Sequence, residues 1–307
     1  PEREKLFAFA EDYRRFISGC KTERECTSAV YADATGHGFE DLDELIETGK
    51  SVKAGDKIIA NNMGKGLALF IVGSKPLEKG MNILGAHIDS PRMDLKQVPL
   101  YEDTDMALFD THYYGGIKKY QWPTIPLALH GDVYKKDGSV VTITIGEDEN
   151  DPIFCVTDLL PHLSSKQRTQ TLAEAFKGES MNILIGSRQF KDEKASEKVK
   201  LNLMKIFNEK YGITERDFLG AELSVVPALK ARDLGLDRSM IGAYGHDDRV
   251  CSYTEMTAEI ANTNPEWTSV VIFADKEEVG SDGNTGMHSR FLEYFLADLA
   301  EPFGVPV

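Results

Sequence analysis

Cysteine is scarce in this chain. The four, Cys20, Cys26, Cys155 and Cys251, are scattered over 307 residues without the spacing of a zinc knuckle or a disulfide framework, so reduced thiols are expected. No apolar run approaches the roughly 18 residues of a membrane helix. There is also no basic amphipathic segment and no signal-peptide pattern, so no membrane partner and a cytoplasmic location are expected. Cations are the minority charge, 35 Lys and Arg against 50 Asp and Glu for a net charge of −15. Binding phosphate backbones needs concentrated Lys and Arg, so nucleic acid is excluded as a partner. A glycine-rich nucleotide loop is missing as well; Gly115-Gly116 and Lys118-Lys119 read as a tight backbone approach and a solvated face. Internal repeats and low-complexity tracts are absent. What remains is an acidic chain long enough to bury a sizeable core and to form two domains.

Three short stretches carry the chemistry: Gly85-Ala86-His87-Ile88-Asp89-Ser90-Pro91-Arg92, Gly245-His246-Asp247-Asp248-Arg249, and Asp275-Lys276-Glu277-Glu278-Val279-Gly280-Ser281. An imidazole, a carboxylate and a Glu-Glu pair are what a two-metal hydrolase needs. Two cations about 3.5–4 Å apart can activate one water, and a carboxylate such as Asp247 can give one oxygen to each. Imidazole and carboxylate donors suit zinc, cobalt or manganese, whereas a structural zinc more often recruits cysteine. Glu278 can then be a ligand while Glu277 stays off the metal and takes a proton from the water. The spacing of two in His87-Ile88-Asp89 puts both polar side chains on one face of a strand, so Asp89 can hold the His87 tautomer.

Plainer readings stand beside these. His-x-Asp is common at strand ends, Asp247-Asp248 could be the N-cap and first turn of a helix starting near Arg249, and Glu277-Glu278 could be a solvated pair. The flanks favour the site. Trp267–Ala274 reads as a buried, parallel strand and Met81–Ala86 as another, and active groups in open α/β sheets gather at the carboxyl ends of such strands.

The organisation reads as one domain interrupted by another: residues 1–99 form the first part of a catalytic domain, 100–234 a β-rich insertion, and 235–307 the second part. An opening helix places Leu6, Phe9, Ala10, Tyr13, Phe16 and Ile17 on one face, and Thr22 with Glu25 forms a capping box for the next. Residues 57–60 and 67–72 read as a hairpin around Asn62-Met63-Gly64. In the insertion, Val133–Lys135 and Val140–Ile145 flank an Asp137-Gly138 turn. His130 reads as a strand-end residue before a turn, and a helix over 195–211 buries Val199, Leu203 and Ile206.

These motifs, with Tyr114-Gly115-Gly116-Ile117-Lys118-Lys119-Tyr120-Gln121-Trp122 and Asp158-Leu159-Leu160-Pro161-His162-Leu163, resemble the M18 metalloaminopeptidases, the family of aspartyl aminopeptidase and yeast vacuolar aminopeptidase I. The resemblance runs in order from near residue 1 to residue 307. It implies an α/β fold, a phosphorylase/hydrolase-like mixed sheet flanked by helices, with an inserted β-rich dimerisation domain. It implies two divalent cations, Zn²⁺ with Co²⁺ or Mn²⁺ as alternatives, held by His87, Asp247 and Glu278, with Glu277 as general base and Asp89 as orienter. Peptides with a free N-terminus would be the substrates. Dimers would assemble into a hollow tetrahedral dodecamer, and His162 would reach a neighbouring subunit's substrate, its alternative being a surface or core histidine. The family's remaining Asp and His ligands come later in a longer chain, whereas here only Val279–Val307 follow Glu278. The late His288 falls where the family has no ligand, and Asp282 and Asp298 are weak substitutes. The chain is therefore expected to be an incomplete record of a longer protein, with Phe303–Val307 approaching a further strand. Two other functions fit the motifs: another co-catalytic metallohydrolase, such as a deacylase or carboxypeptidase, and a catalytically incomplete assembly subunit. The preferred N-terminal side chain is not legible.

Overall fold

In the computed structural model, which describes residues 2–300, the chain forms two units. One comprises the described residues up to Ser90 together with those from Lys230 onward; the other is Pro91–Leu229. The expected strand near Phe303 lies outside the described residues.

The first unit opens with α1 (Glu2–Gly19), which buries Tyr13 and Ile17 but leaves Leu6 and Phe9 at 64% and 44% exposure. The apolar face expected over the whole helix is thus used only in its second half, where it meets a core that includes Val30, Leu69 and Phe273. Helix α2 (Glu23–Gly36) starts on the expected capping box: Glu25 N donates to Thr22 Oγ1 (3.3 Å), and Thr22 N donates to Glu25 Oε2 (3.0 Å). After β1 (Glu40–Asp41) and α3 (Leu42–Thr48), the hairpin of β2 (Lys57–Asn62) and β3 (Gly66–Ile71) turns through Met63 and Gly64, both at positive φ. Strand β4 (Met81–His87) follows.

The second unit is built on a seven-stranded antiparallel sheet. Its strands are β5 (Arg92–Asp103), β6 (Met106–Tyr114), β7 (Leu127–Tyr134), β8 (Val140–Ile145), β9 (Cys155–Val156), β10 (Ile183–Gly186) and β11 (Ala221–Pro227), with the short α4 (Leu172–Ala175) and the longer α5 (Lys198–Tyr211) between them. The spatial order is β8-β7-β11-β5-β6-β10-β9. Hairpin β7–β8 closes where expected, with Gly138 at positive φ and Ser139 N donating to Asp137 Oδ1. Two expectations are corrected. Helix α5 begins at Lys198 and buries Val199 and Phe207, with Leu203 partly covered, while Ile206 is 47% exposed. An i, i+4, i+8 row faces the core, and position 206 lies off it. His130 sits inside β7, buried and bonded through Nε2 to Glu147 Oε1 at 3.0 Å. The turn suggested by Gly131 is a close strand approach, since a Cβ there would overlap the Glu222 carbonyl oxygen.

The chain returns to the first unit through β12 (Arg232–Leu234), β13 (Met240–Gly242), α6 (His246–Ala261), β14 (Thr268–Ala274) and α7 (Phe291–Ala300). Its main sheet runs β1-β2-β3-β14-β4, with β14 antiparallel to β3 and parallel to β4 from Thr268↔Met81 to Ala274↔His87. Strand β14 is buried as expected. Strand β4 is not: among the described residues it is the last strand of the sheet, and Ile83 and Leu84 are each 48% exposed.

Candidate metal centre

Parallel pairing of β4 and β14 brings their carboxyl ends to one edge of the sheet, and pairing continues one step beyond, Ile88 N donating to Ala274 O at 2.9 Å. From there one chain runs into Asp89 and the other through buried Asp275 and left-handed Lys276 into a 3-10 turn over Glu277–Val279. Asp89 is fully buried, and its two carboxylate oxygens each accept one main-chain N–H of that turn, Glu277 N on Oδ1 and Glu278 N on Oδ2, both at 3.1 Å. The first N–H groups of a helical turn have no partner within it, and a carboxylate is the natural group to accept them.

Asp89 also faces His87, as the spacing suggested, though by a different atom. The shorter contact from His87 Nδ1 is to the Asp89 carbonyl oxygen (3.1 Å), with the carboxylate Oδ1 at 3.5 Å. A carbonyl oxygen only accepts, so Nδ1 carries a hydrogen and Nε2 is the nitrogen left for a cation. The Asp89 carboxylate, assisted by Asp248 and opposed by burial, pushes the imidazole up to about 9. A cation that takes Nε2 competes with a proton held there more firmly than on an ordinary histidine.

Asp247 and Asp248 occupy the first turn of α6, behind Gly245 in the left-handed N-cap position. Adjacent residues on a helix point about 100° apart, so Asp247 is exposed while Asp248 is buried. One ligand atom each from His87, Asp247 and Asp248 lies within 4.8 Å of the other two, the one such group among the described residues. Asp248 Oδ1 is buried without a hydrogen-bond partner and stands 3.9 Å from His87 Nδ1. Glu277 Oε2 is 3.9 Å from His87 Nε2, and its side chain is 57% exposed. Glu278, on the same turn, is half-buried and is not one of the three. Asp248 entered the sequence reading only as a helix-start residue; the adjacent Asp pair was the available signal. A convergent imidazole and two carboxylates, one with an unpartnered buried oxygen, fit a hard or borderline divalent cation.

The other candidates are not among the grouped ligands. His162 occupies an exposed turn of the second unit. His288 bonds through Nδ1 to Asp282 Oδ1 at 3.0 Å, both exposed, and Asp298 is exposed on α7.

The family model described as aminopeptidase I zinc metalloprotease (M18) matches residues 16–304. The probable M18 family aminopeptidase 1 of Clostridium acetobutylicum is 53% identical over 296 residues, covering 96% of this chain and 64% of its own. The chain thus spans a little under two thirds of this relative's length. The crystal structure of the M18 aminopeptidase from Thermotoga maritima superposes with a TM-score of 0.92 at 44% identity, over 99% of this chain and 65% of that one. The S. cerevisiae mApe1 dodecamer, at 22% identity, shares the fold with a TM-score of 0.73, over 95% of this chain and 66% of that one.

Proposed function

The chain belongs to the M18 family of zinc metalloproteases, and from that premise we propose that it forms the metal-binding part of an aminopeptidase that removes the N-terminal residue of short peptides. The observation that carries this reading is the convergence at Asp89, where the His87 strand end and the Glu277-Glu278 turn are held on one buried residue. A general base must be fixed relative to the cation ligand it works beside, and one residue fixes both here.

In this reading His87 Nε2, Asp247 and Glu278 hold two divalent cations, with zinc the natural choice, and further donors complete the set. Bound zinc supplies Lewis acidity, lowering the pKa of water and polarising a carbonyl. The side chains do the rest. Glu277, exposed and 3.9 Å from Nε2, accepts the proton of the attacking water and returns it to the leaving amine. Asp89 keeps the Nδ1 hydrogen of His87 in place, and the acidic surroundings favour a substrate carrying a free, positively charged α-amino group. The inserted unit acts as a dimerisation domain, dimers assemble as in the dodecamer reported for the yeast protein, and His162 steadies substrate from a neighbouring subunit.

Glu277→Gln is expected to retain metal and fold while kcat falls on the order of 10²–10⁴-fold, the usual contribution of a positioned acid-base group. Near-normal turnover in the intact protein would remove the base assignment. The same assay on peptides with free and acetylated N-termini separates an aminopeptidase, which acts only on the former, from a deacylase or carboxypeptidase.

A further inference from the structure

Arg249 is a fully buried guanidinium at the start of α6. That is an unfavourable place for a cation, because the helix dipole opposes it and burial strips its water. Its side chain folds back under the start of its own helix, so that a Cβ on Gly245 would overlap Nη1. Nε donates to Cys26 Sγ at 3.3 Å, Nη1 donates to Ser90 Oγ and lies 3.6 Å from Asp248 Oδ2, and Nη2 has no hydrogen-bond partner. A thiol, a hydroxyl, one carboxylate beyond hydrogen-bond distance and the face of the Tyr244 ring, 5.7 Å from Cζ, surround the buried charge, and a nonpolar side chain would fill the same space without its desolvation cost, so stability alone does not account for it.

Its partners sit on three separate pieces of the first unit. Cys26 lies in α2, Ser90 directly follows Asp89, and Asp248 directly follows Asp247. We propose that Arg249 is a positioning residue for the metal centre, tying the end of the His87 strand to the start of α6 and so setting the separation of the His87 imidazole and the Asp247 carboxylate. Nη1 acts both through Ser90 on the Asp89 segment that holds His87 Nδ1 and on Asp248, whose Oδ1 faces the same nitrogen. Cys26 braces the guanidinium from behind. The inference rests on the metal-centre reading above.

Because Cys26 is not among the grouped ligands, its influence on them must pass through Arg249, and this gives the test. Co²⁺ binding to the intact protein is followed by calorimetry and by the cobalt d–d absorption. Cys26→Ala and Ser90→Ala are expected to weaken cobalt binding on the order of 10-fold, the lower end of what residues supporting metal ligands contribute, and to shift the absorption band. Cys26→Ser, whose hydroxyl still accepts from Nε, restores both. Val30→Ala, which opens a cavity in the same core, lowers the melting temperature and leaves cobalt affinity unchanged. Wild-type affinity in both Cys26→Ala and Ser90→Ala overturns the inference and leaves the metal centre standing, and so does an equal loss in Val30→Ala. Failure of the wild-type protein to bind cobalt removes the metal-centre reading, and this inference with it.

Discussion

At the scale of single residues, Asp89 shows how geometry adds to a motif. The spacing of two in His87-Ile88-Asp89 correctly placed it beside the imidazole, but its carboxylate is engaged by the Glu277 and Glu278 amides, nearly two hundred positions further along the chain. Local periodicity cannot report such a bond; only pairing of β4 with β14 creates it. A carboxylate accepts on both oxygens, whereas an amide offers one acceptor and a donor, so Asp89→Asn leaves one turn N–H facing an NH₂ group. Stability is expected to fall by about 1–3 kcal/mol, and zinc affinity on the order of 10–100-fold. Denaturant titration and calorimetry check the two separately, and a variant that matches wild type in both would show that Asp89 holds neither partner. Asp248 was harder to read: two adjacent carboxylates in a helix's first turn are explained by the dipole alone, and nothing in their order says which one is buried.

At the scale of elements, what could be read in advance was what local chemistry dictates. The capping box at Thr22, the hairpin over residues 57–72 and the β7–β8 hairpin each depend on side chains a few positions apart. Thr22→Ala removes one half of the box and is expected to cost about 1 kcal/mol in thermal or chemical unfolding; no change would mean that Glu25 alone caps α2. Elements whose burial depends on distant neighbours were misread, namely the first half of α1, Ile206 in α5 and above all β4. The composition of β4 is that of an interior strand, yet in the sheet order of the described residues it comes last. Among the described residues Ile83 and Leu84 are half-exposed on the last strand of the sheet, and an edge of this kind is a template for pairing with other chains. Ile83→Lys is therefore expected to reduce concentration-dependent association of this chain, measured by light scattering, without disturbing pairing to β14. Equal scattering would locate the association elsewhere.

At the scale of the molecule, charge and topology meet at one place. His87 arrives from β4, Asp247 and Asp248 from α6, and Glu277 from the turn after β14, all within the first unit, while Pro91–Leu229 contributes none of them. Asp89, Asp247, Asp248, Glu277 and Glu278 bring five carboxyl groups around two cationic side chains, His87 and Arg249, in a chain with net charge −15, so without a bound metal ion the excess negative charge opposes their close approach. A ligand that binds only the folded state stabilises it by mass action, about 2.7 kcal/mol at a hundred times its dissociation constant. That gain must appear where the ligands are. Removing metal with a chelator is therefore expected to speed amide exchange at Glu277–Val279 and in the first turn of α6, where repulsion loosens the Asp89 contacts, and to leave the β7–β8 hairpin of the second unit unchanged. Zinc added back should restore protection in the same order of sites. If exchange at the Glu277 turn is indifferent to metal while β7 and β8 respond, the cation binds in the inserted unit and the assignment of His87 and Asp247 falls.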